Sequence, residues 1–167
     1  LHDLRKDRGR LITIEYPDGK QDQVRQSVTL IRNADVDIIS GHVVYGSWST
    51  GKLDAYTAPT VAGYQPSESV VNGVDVNDTN KLDDVTITYQ AADAMVNVVY
   101  QSVDGDAIVK TEPLSGTVGQ TIDVPVNVPA GWELVKGPAK TVTLKASGNA
   151  DLVVTMKHKT VTVNADS

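Results

Sequence analysis

The 167-residue sequence contains no cysteine, which excludes disulfides, thiolate nucleophiles and cysteine-ligated zinc together. It contains no phenylalanine either, and only two Trp and six Tyr. A core must therefore rest on Val, Ile and Leu, with a few large rings. No apolar run reaches the roughly 18 residues that a membrane-spanning helix requires, so no membrane insertion is expected. No signal peptide is visible, and the opening "LHDLRKDRG" is expected to be the interior of a longer chain. Basic residues are scarce: 15 Lys and Arg against 21 Asp and Glu leave a net charge of −6. Nucleic acid is a poor partner for such a surface, because phosphate binding needs clustered Lys and Arg.

What the sequence does have is apolar alternation with period two. Ile12, Ile14 and Tyr16 alternate with Leu11, Thr13 and Glu15. Val85, Ile87 and Tyr89 repeat the pattern, as do Val96, Val98 and Tyr100, and again Leu152, Val154 and Met156. Such alternation predicts half-buried strands, and the branched Cβ of Val, Ile and Thr suits a pleated surface. Asp18 with Gly19, and Asp104 with Gly105, mark tight turns, because Asp-Gly tolerates positive φ. One short helix is expected in "SWSTGKLDAYT", with Ser49 or Thr50 as its N-cap. A last strand is expected in "KTVTVNADS". The class is mainly β, or α+β if helix is present.

These features occur twice in the same order, which marks an internal duplication. Each half opens with an alternating strand ending in Tyr (Tyr16, Tyr100) and turns at Asp-Gly. Each then carries Ala-Gly-aromatic, Ala62-Gly63-Tyr64 and Ala130-Gly131-Trp132, before a closing alternating strand. Gly19 to Gly63 spans 44 residues and Gly105 to Gly131 spans 26, so the first copy carries 18 more. The surplus includes "DVDIISGHVVYG", read as two short strands around Ser40 and Gly41. Two domains follow: 1–91, with an inserted hairpin near 35–50, and 92–167. The short junction "QAADAM" favours stacked domains forming an elongated rod over a floppy linker.

The phrases "RLITIEYPDGK", "QSVTLIRNADVD", "GHVVYGSWS" and "YTAPTVAGYQPS" resemble the Mub-type repeats of mucus-binding adhesins of lactic acid bacteria. In the second half, "VNVVYQSVDGDAIV", "SGTVGQTI" and "VPAGWELVKG" are similar to a MucBP-type domain. The resemblance covers essentially the whole chain. It implies tandem β-grasp-like (ubiquitin-like) modules in a cell-wall-anchored surface protein, and adhesion to mucin glycans or glycoproteins. It also implies immunoglobulins as another partner class, while the short "QAADAM" junction and the β-rich content point to a stalk or spacer repeat as another role. The chain is expected to be a monomer within a tandem-repeat protein. The resemblance supplies no catalytic motif, no cofactor and no fixed set of binding residues.

Three rings are the candidate ligand contacts: Trp48, Tyr64 and Trp132. Each could stack on a sugar face, or simply supply packing area. Tyr64 and Trp132 hold equivalent places in the duplicated phrase, which favours a shared role in packing. Trp48 lies among Gly and Ser in "YGSWSTGK" and stays open between the two roles. Residues 75–84, "DVNDTNKLDD", offer oxygen atoms at Asp75, Asn77 and Thr79, but Asn80 and Thr86 stand where an EF-hand needs Gly and Glu. A solvated loop without metal is expected. His2, His42 and His158 are scattered, without a metal-ligand spacing. Asp83 and Asp84 are adjacent, a poor geometry for a shared acid/base site. No G-x-S-x-G elbow is present, so an enzyme is not expected. Arg5, Lys6, Arg8 and Arg10 are read as a solvated segment between domains. Residues 92–167 hold 6 basic and 8 acidic side chains, against 9 and 13 in residues 1–91. Neither half would draw in acidic mucin by bulk charge.

Overall fold

The computed structural model describes residues 3–166, so His2 lies outside the described residues. The chain divides into two compact units: Leu1–Val61 with Gln65–Gln90, and Ala62–Tyr64 with Ala91–Ser167. Both are built from strands, and no helix occurs among the described residues. The mainly-β expectation holds. The helix that an α+β arrangement would need is absent.

The strands up to the middle of the chain are β1 (Arg5–Glu15), β2 (Gln21–Ile31), β3 (Ala34–Val36), β4 (Val43–Tyr45), β5 (Gly51–Leu53), β6 (Tyr56–Thr57), β7 (Tyr64–Pro66), β8 (Val70–Val71), β9 (Val74–Val76), β10 (Val85–Ile87) and β11 (Tyr89–Ala91). β1 and β2 form a long antiparallel hairpin, in register from Arg5↔Ile31 to Glu15↔Gln21. Gly19 closes it at φ 87°, the positive φ that selected Asp-Gly. Its N–H donates to the Tyr16 carbonyl at 3.0 Å. β10 then lies parallel to β1, pairing Ile12 with Val85 and Ile14 with Ile87. The inward alternation buries Ile12, Ile14 and Ile87 fully, alongside Val71, with Tyr16 and Tyr89 stacked at 5.9 Å over the edge of that cluster. Full burial of one such side chain contributes about 1.5–3 kcal/mol. A separate cluster joins Leu30, Leu53 and Val76.

Later strands are β12 (Asp93–Ser102), β13 (Ile108–Thr117), β14 (Thr121–Asp123), β15 (Trp132–Lys136), β16 (Thr141–Thr143) and β17 (Leu152–His158). β12 and β13 form the second opening hairpin. β17 lies parallel to β12, pairing Val98 with Leu152 and Tyr100 with Val154, and β15 flanks β17 on its other side. Ile12/Val85 and Val98/Leu152 are thus corresponding pairs, so both units share an opening hairpin with a parallel closing strand. This register makes Tyr100 the counterpart of Ile14, and not of Tyr16, in the duplication. The core here gathers Val98, Tyr100, Val124, Val154 and Met156.

Two expected elements are corrected. The helix at "SWSTGKLDAYT" is replaced by β5 and β6. Ser49 caps nothing: its Oγ accepts the Ile31 N–H at 2.9 Å, and its own N–H donates to the Ile31 carbonyl at 2.7 Å. The segment is thereby held extended beside β2. At Gly51 an added Cβ would lie 2.5 Å from Val28 Cγ2, so glycine permits that approach. The strand expected in "KTVTVNADS" does not form. Strand β17 ends at His158, and Val161 and Val163 stand exposed without a pairing partner among the described residues.

Candidate ligand-binding surfaces

Trp48 follows the β3–β4 hairpin. That hairpin pairs Ala34 with Tyr45 and Val36 with Val43. The Gly46 N–H donates to the Asn33 carbonyl at 2.8 Å and returns the chain to the end of β2. The indole is half-buried on Leu30, Leu53 and Val76. The Arg32 guanidinium carbon lies 4.4 Å from its ring centroid and 3.8 Å from that of Tyr45. Arg32 is therefore layered on two rings, each contact worth about 0.5–2 kcal/mol. Trp48 faces core and cation, while Tyr45 is the outer ring at 38% exposure. Sequence reasoning passed over Tyr45, although it ends an alternating strand beside the loop. At the hairpin tip Ile38 and Ile39 are 96% and 95% exposed. The turn beneath them is capped by Asp37, whose Oδ1 accepts the N–H groups of Ile39 and Ser40, each at 2.9 Å. Those bonds, Ser40 first, hold the Asp37 carboxyl below its ordinary value.

Trp132 opens β15 immediately after Gly131, which takes φ 87°. Its ring is half-buried on the Val98–Tyr100–Met156 cluster and meets His158 of β17 at 4.2 Å, tilted by 57°. The Lys159 N–H donates to the Gly131 carbonyl at 2.8 Å, fastening the turn. Tyr64 opens β7 after Gly63, at φ 80°, and is 39% exposed. It belongs to none of the three hydrophobic clusters. No cluster holds two of the three candidate rings.

Tyr100 is fully buried, and its hydroxyl accepts the Asn127 N–H at 2.8 Å. The Lys110 ammonium sits 4.4 Å over the Tyr100 ring, donates to the Asn127 carbonyl at 2.6 Å and lies 3.7 Å from Glu112. The Tyr100 hydroxyl, more than any other neighbour, holds the Glu112 carboxyl below its ordinary value; Asn127 and Lys110 add to the effect. Desolvation pushes the Tyr100 phenol up.

The basic residues of 5–10 are not a solvated segment between domains; they lie on β1. Lys6 donates to the Asp78 carbonyl at 2.7 Å, and Arg8 to the carbonyls of Asn77 and Asn80. In the 75–84 loop, Asn77 Oδ1 accepts the N–H groups of Thr79 and Asn80, and Asn80 Oδ1 accepts that of Asn77. These loop oxygens are occupied by N–H donors. Asp83 pairs with Lys81 at 3.5 Å, while Asp84 accepts the Leu11 N–H at 2.8 Å, so the adjacent carboxylates serve different partners. Among the described residues, no group of three or more His, Asp or Glu is placed to hold a metal.

Arg10 is the departure from expectation: only 4% of it is exposed. Its Nε donates to Gln26 Oε1 at 2.7 Å, and its Nη2 to the carbonyls of Asp54 and Asn72 at 3.1 and 2.9 Å. It forms the back of a cleft of about 280 Å³ in the first unit, with Glu68, Asn72, Lys81 and Asp83 at the rim. A shallower hollow of about 580 Å³ in the second unit is lined by Asp93, Ala94, Met95, Ser115, Gly116 and Thr117.

Residues 2–93 match the family model for the Muc B2-like domain, and residues 95–164 match that for the MucBP domain. Similar solved structures include the mucin-binding domain of Spr1345 from Streptococcus pneumoniae, at 24% identity and TM-score 0.44, covering 52% of this chain and 93% of that one. A type 2 repeat of the mucus binding protein MUB from Lactobacillus reuteri is 32% identical with TM-score 0.43, covering 52% of this chain and 50% of that one. The MucBP domain of the adhesion protein from Pediococcus pentosaceus is 30% identical with TM-score 0.37, covering 50% of this chain and 98% of that one. Among curated proteins no significant match was found.

Proposed function

Because the chain belongs to the Muc B2-like domain family and continues into a MucBP domain, we propose that it is a non-catalytic, extracellular adhesin repeat that binds mucin glycoproteins through their glycans. The succession of these two mucus-adhesin domain types in one short chain carries the reading. The net charge of −6 disfavours bulk attraction to acidic mucin, so contact rests on hydrogen bonds and on open rings. Of the three candidate rings, Tyr64 keeps the most open face for a sugar, while Trp48 and Trp132 act mainly as framework. Each contact is weak. Many copies in a long cell-wall-anchored protein would raise avidity by about 10²–10⁴.

The test is binding of the chain to purified mucin, first as a monomer and then on multivalent beads, with antibody fragments as the comparison ligand. Bead capture that periodate oxidation of the mucin sugars abolishes is the expected result. Beads that ignore mucin while holding antibody fragments would replace glycan binding with immunoglobulin binding.

A further inference from the structure

The Arg10 cleft has the chemistry of a small polyol site. A buried guanidinium normally faces a carboxylate, because an unpaired buried charge is strongly disfavoured. Among the described residues the ion pairs involve Lys81, Lys110 and Lys157, and none involves Arg10. Three of its N–H groups go to uncharged oxygens. Nη1 has no hydrogen-bond acceptor among the described residues and is not fully buried. Arg10 lines the cleft, and those three bonds fix its planar fork there in advance.

The rim supplies the complement. Asn72 lends Arg10 only its backbone carbonyl, leaving its side-chain amide unengaged among the described residues. Glu68 and Asp83 offer acceptors, Lys81 offers donors, and Val71 and Val85 provide an aliphatic wall. The formal charges of Arg10, Lys81, Glu68 and Asp83 cancel. An acidic sugar would gain two cations but meet two carboxylates. Neighbouring hydroxyls of a neutral ring can donate and accept at once, and so use both. The volume lies just under the roughly 300–1,000 Å³ of drug-sized sites, room for one ring and not for a chain.

We propose that this cleft binds a single neutral pyranose, taken at the end of a mucin glycan. The proposal rests on the glycan-binding reading above. Free sugar and mucin share the chemistry, so the experiment has two arms. Backbone amide spectra of the full chain are recorded against methyl galactoside and methyl N-acetylgalactosaminide, and capture on immobilised mucin is scored in parallel. Saturable shifts confined to residues 68–74, 81–85 and the Arg10 region are expected. Asn72→Ala retains the carbonyl that holds Arg10, so it should fold with an unchanged spectrum. It should weaken both arms about two- to tenfold, as loss of one neutral hydrogen bond does. Arg10→Lys, where it folds, should abolish the sugar shifts. Mucin capture undiminished by Asn72→Ala, or shifts that gather elsewhere, would overturn the cleft and leave the adhesin reading standing. Failure of wild-type capture on mucin would remove both.

Discussion

Replacing Tyr100 with Phe keeps the ring and removes one oxygen. The side chain is fully buried, and its hydroxyl accepts the Asn127 N–H at 2.8 Å. Deleting an acceptor strands its donor, at a cost of about 1–3 kcal/mol. Asn127 is itself exposed, so water partly replaces the lost partner, and the lower end, about 1 kcal/mol, is expected. For a unit of this size that lowers Tm by about 4–8 °C. Exchange of the Asn127 amide should accelerate. The change also reaches Glu112, whose lowered pKa depends first on Tyr100. A carboxylate whose folded pKa is depressed contributes stability above its unfolded pKa, and this is lost as pH falls through the folded value. Tyr100→Phe should therefore move the Glu112 titration up toward its ordinary value and flatten the acid limb of the stability curve. Scanning calorimetry of the whole chain and carboxyl-carbon NMR read the two effects. An unchanged Glu112 titration, with the Asn127 amide equally protected, would refute the reasoning.

Gly51→Ala should destabilise the first unit by about 1–3 kcal/mol in urea denaturation, through the clash with Val28 Cγ2. Adding Val28→Ala should recover part of that loss in a double-mutant cycle. Arg32→Ala should cost about 0.5–2 kcal/mol and shift the Trp48 fluorescence, because the ring loses its cation layer. Lys6→Met combined with Arg8→Met should raise amide exchange within residues 77–84 and leave the Ile12–Ile87 core protected, since those side chains bind only loop carbonyls.

Strand positions were legible because side chains alternate across a pleat and Asp-Gly accepts positive φ; Ile12, Ile14 and Gly19 behave accordingly. The parallel pairing of each closing strand was not, since Val85 meets Ile12 across most of a unit. Alternation alone also misled. Val161 and Val163 keep the pattern but stand exposed, with no partner strand among the described residues. The expected helix failed for a tertiary reason, because the hydroxyl read as its cap is engaged by Ile31. Arg10 was legible in principle: it shares the parity of Ile12 and Ile14, hence their inward face. Its charge suggested solvent, and the acceptors that make that face habitable, Gln26 Oε1 and the carbonyls of Asp54 and Asn72, are distant in sequence. For the same kind of reason nothing near Trp48 announced that Arg32 covers it.

The parallel pairing of first and last strands has a mechanical consequence. Strand β1 begins its unit and β10 comes near its end, and they run in the same direction, as do β12 and β17. Tension that pulls the two ends of such a unit apart slides these strands along one another. The ladder bonds are then loaded together, in shear, and must fail together. An antiparallel pair placed at the same two ends would unzip one bond at a time under far less force. The order of strands therefore makes each unit more resistant to stretching from its two ends than an antiparallel closure would.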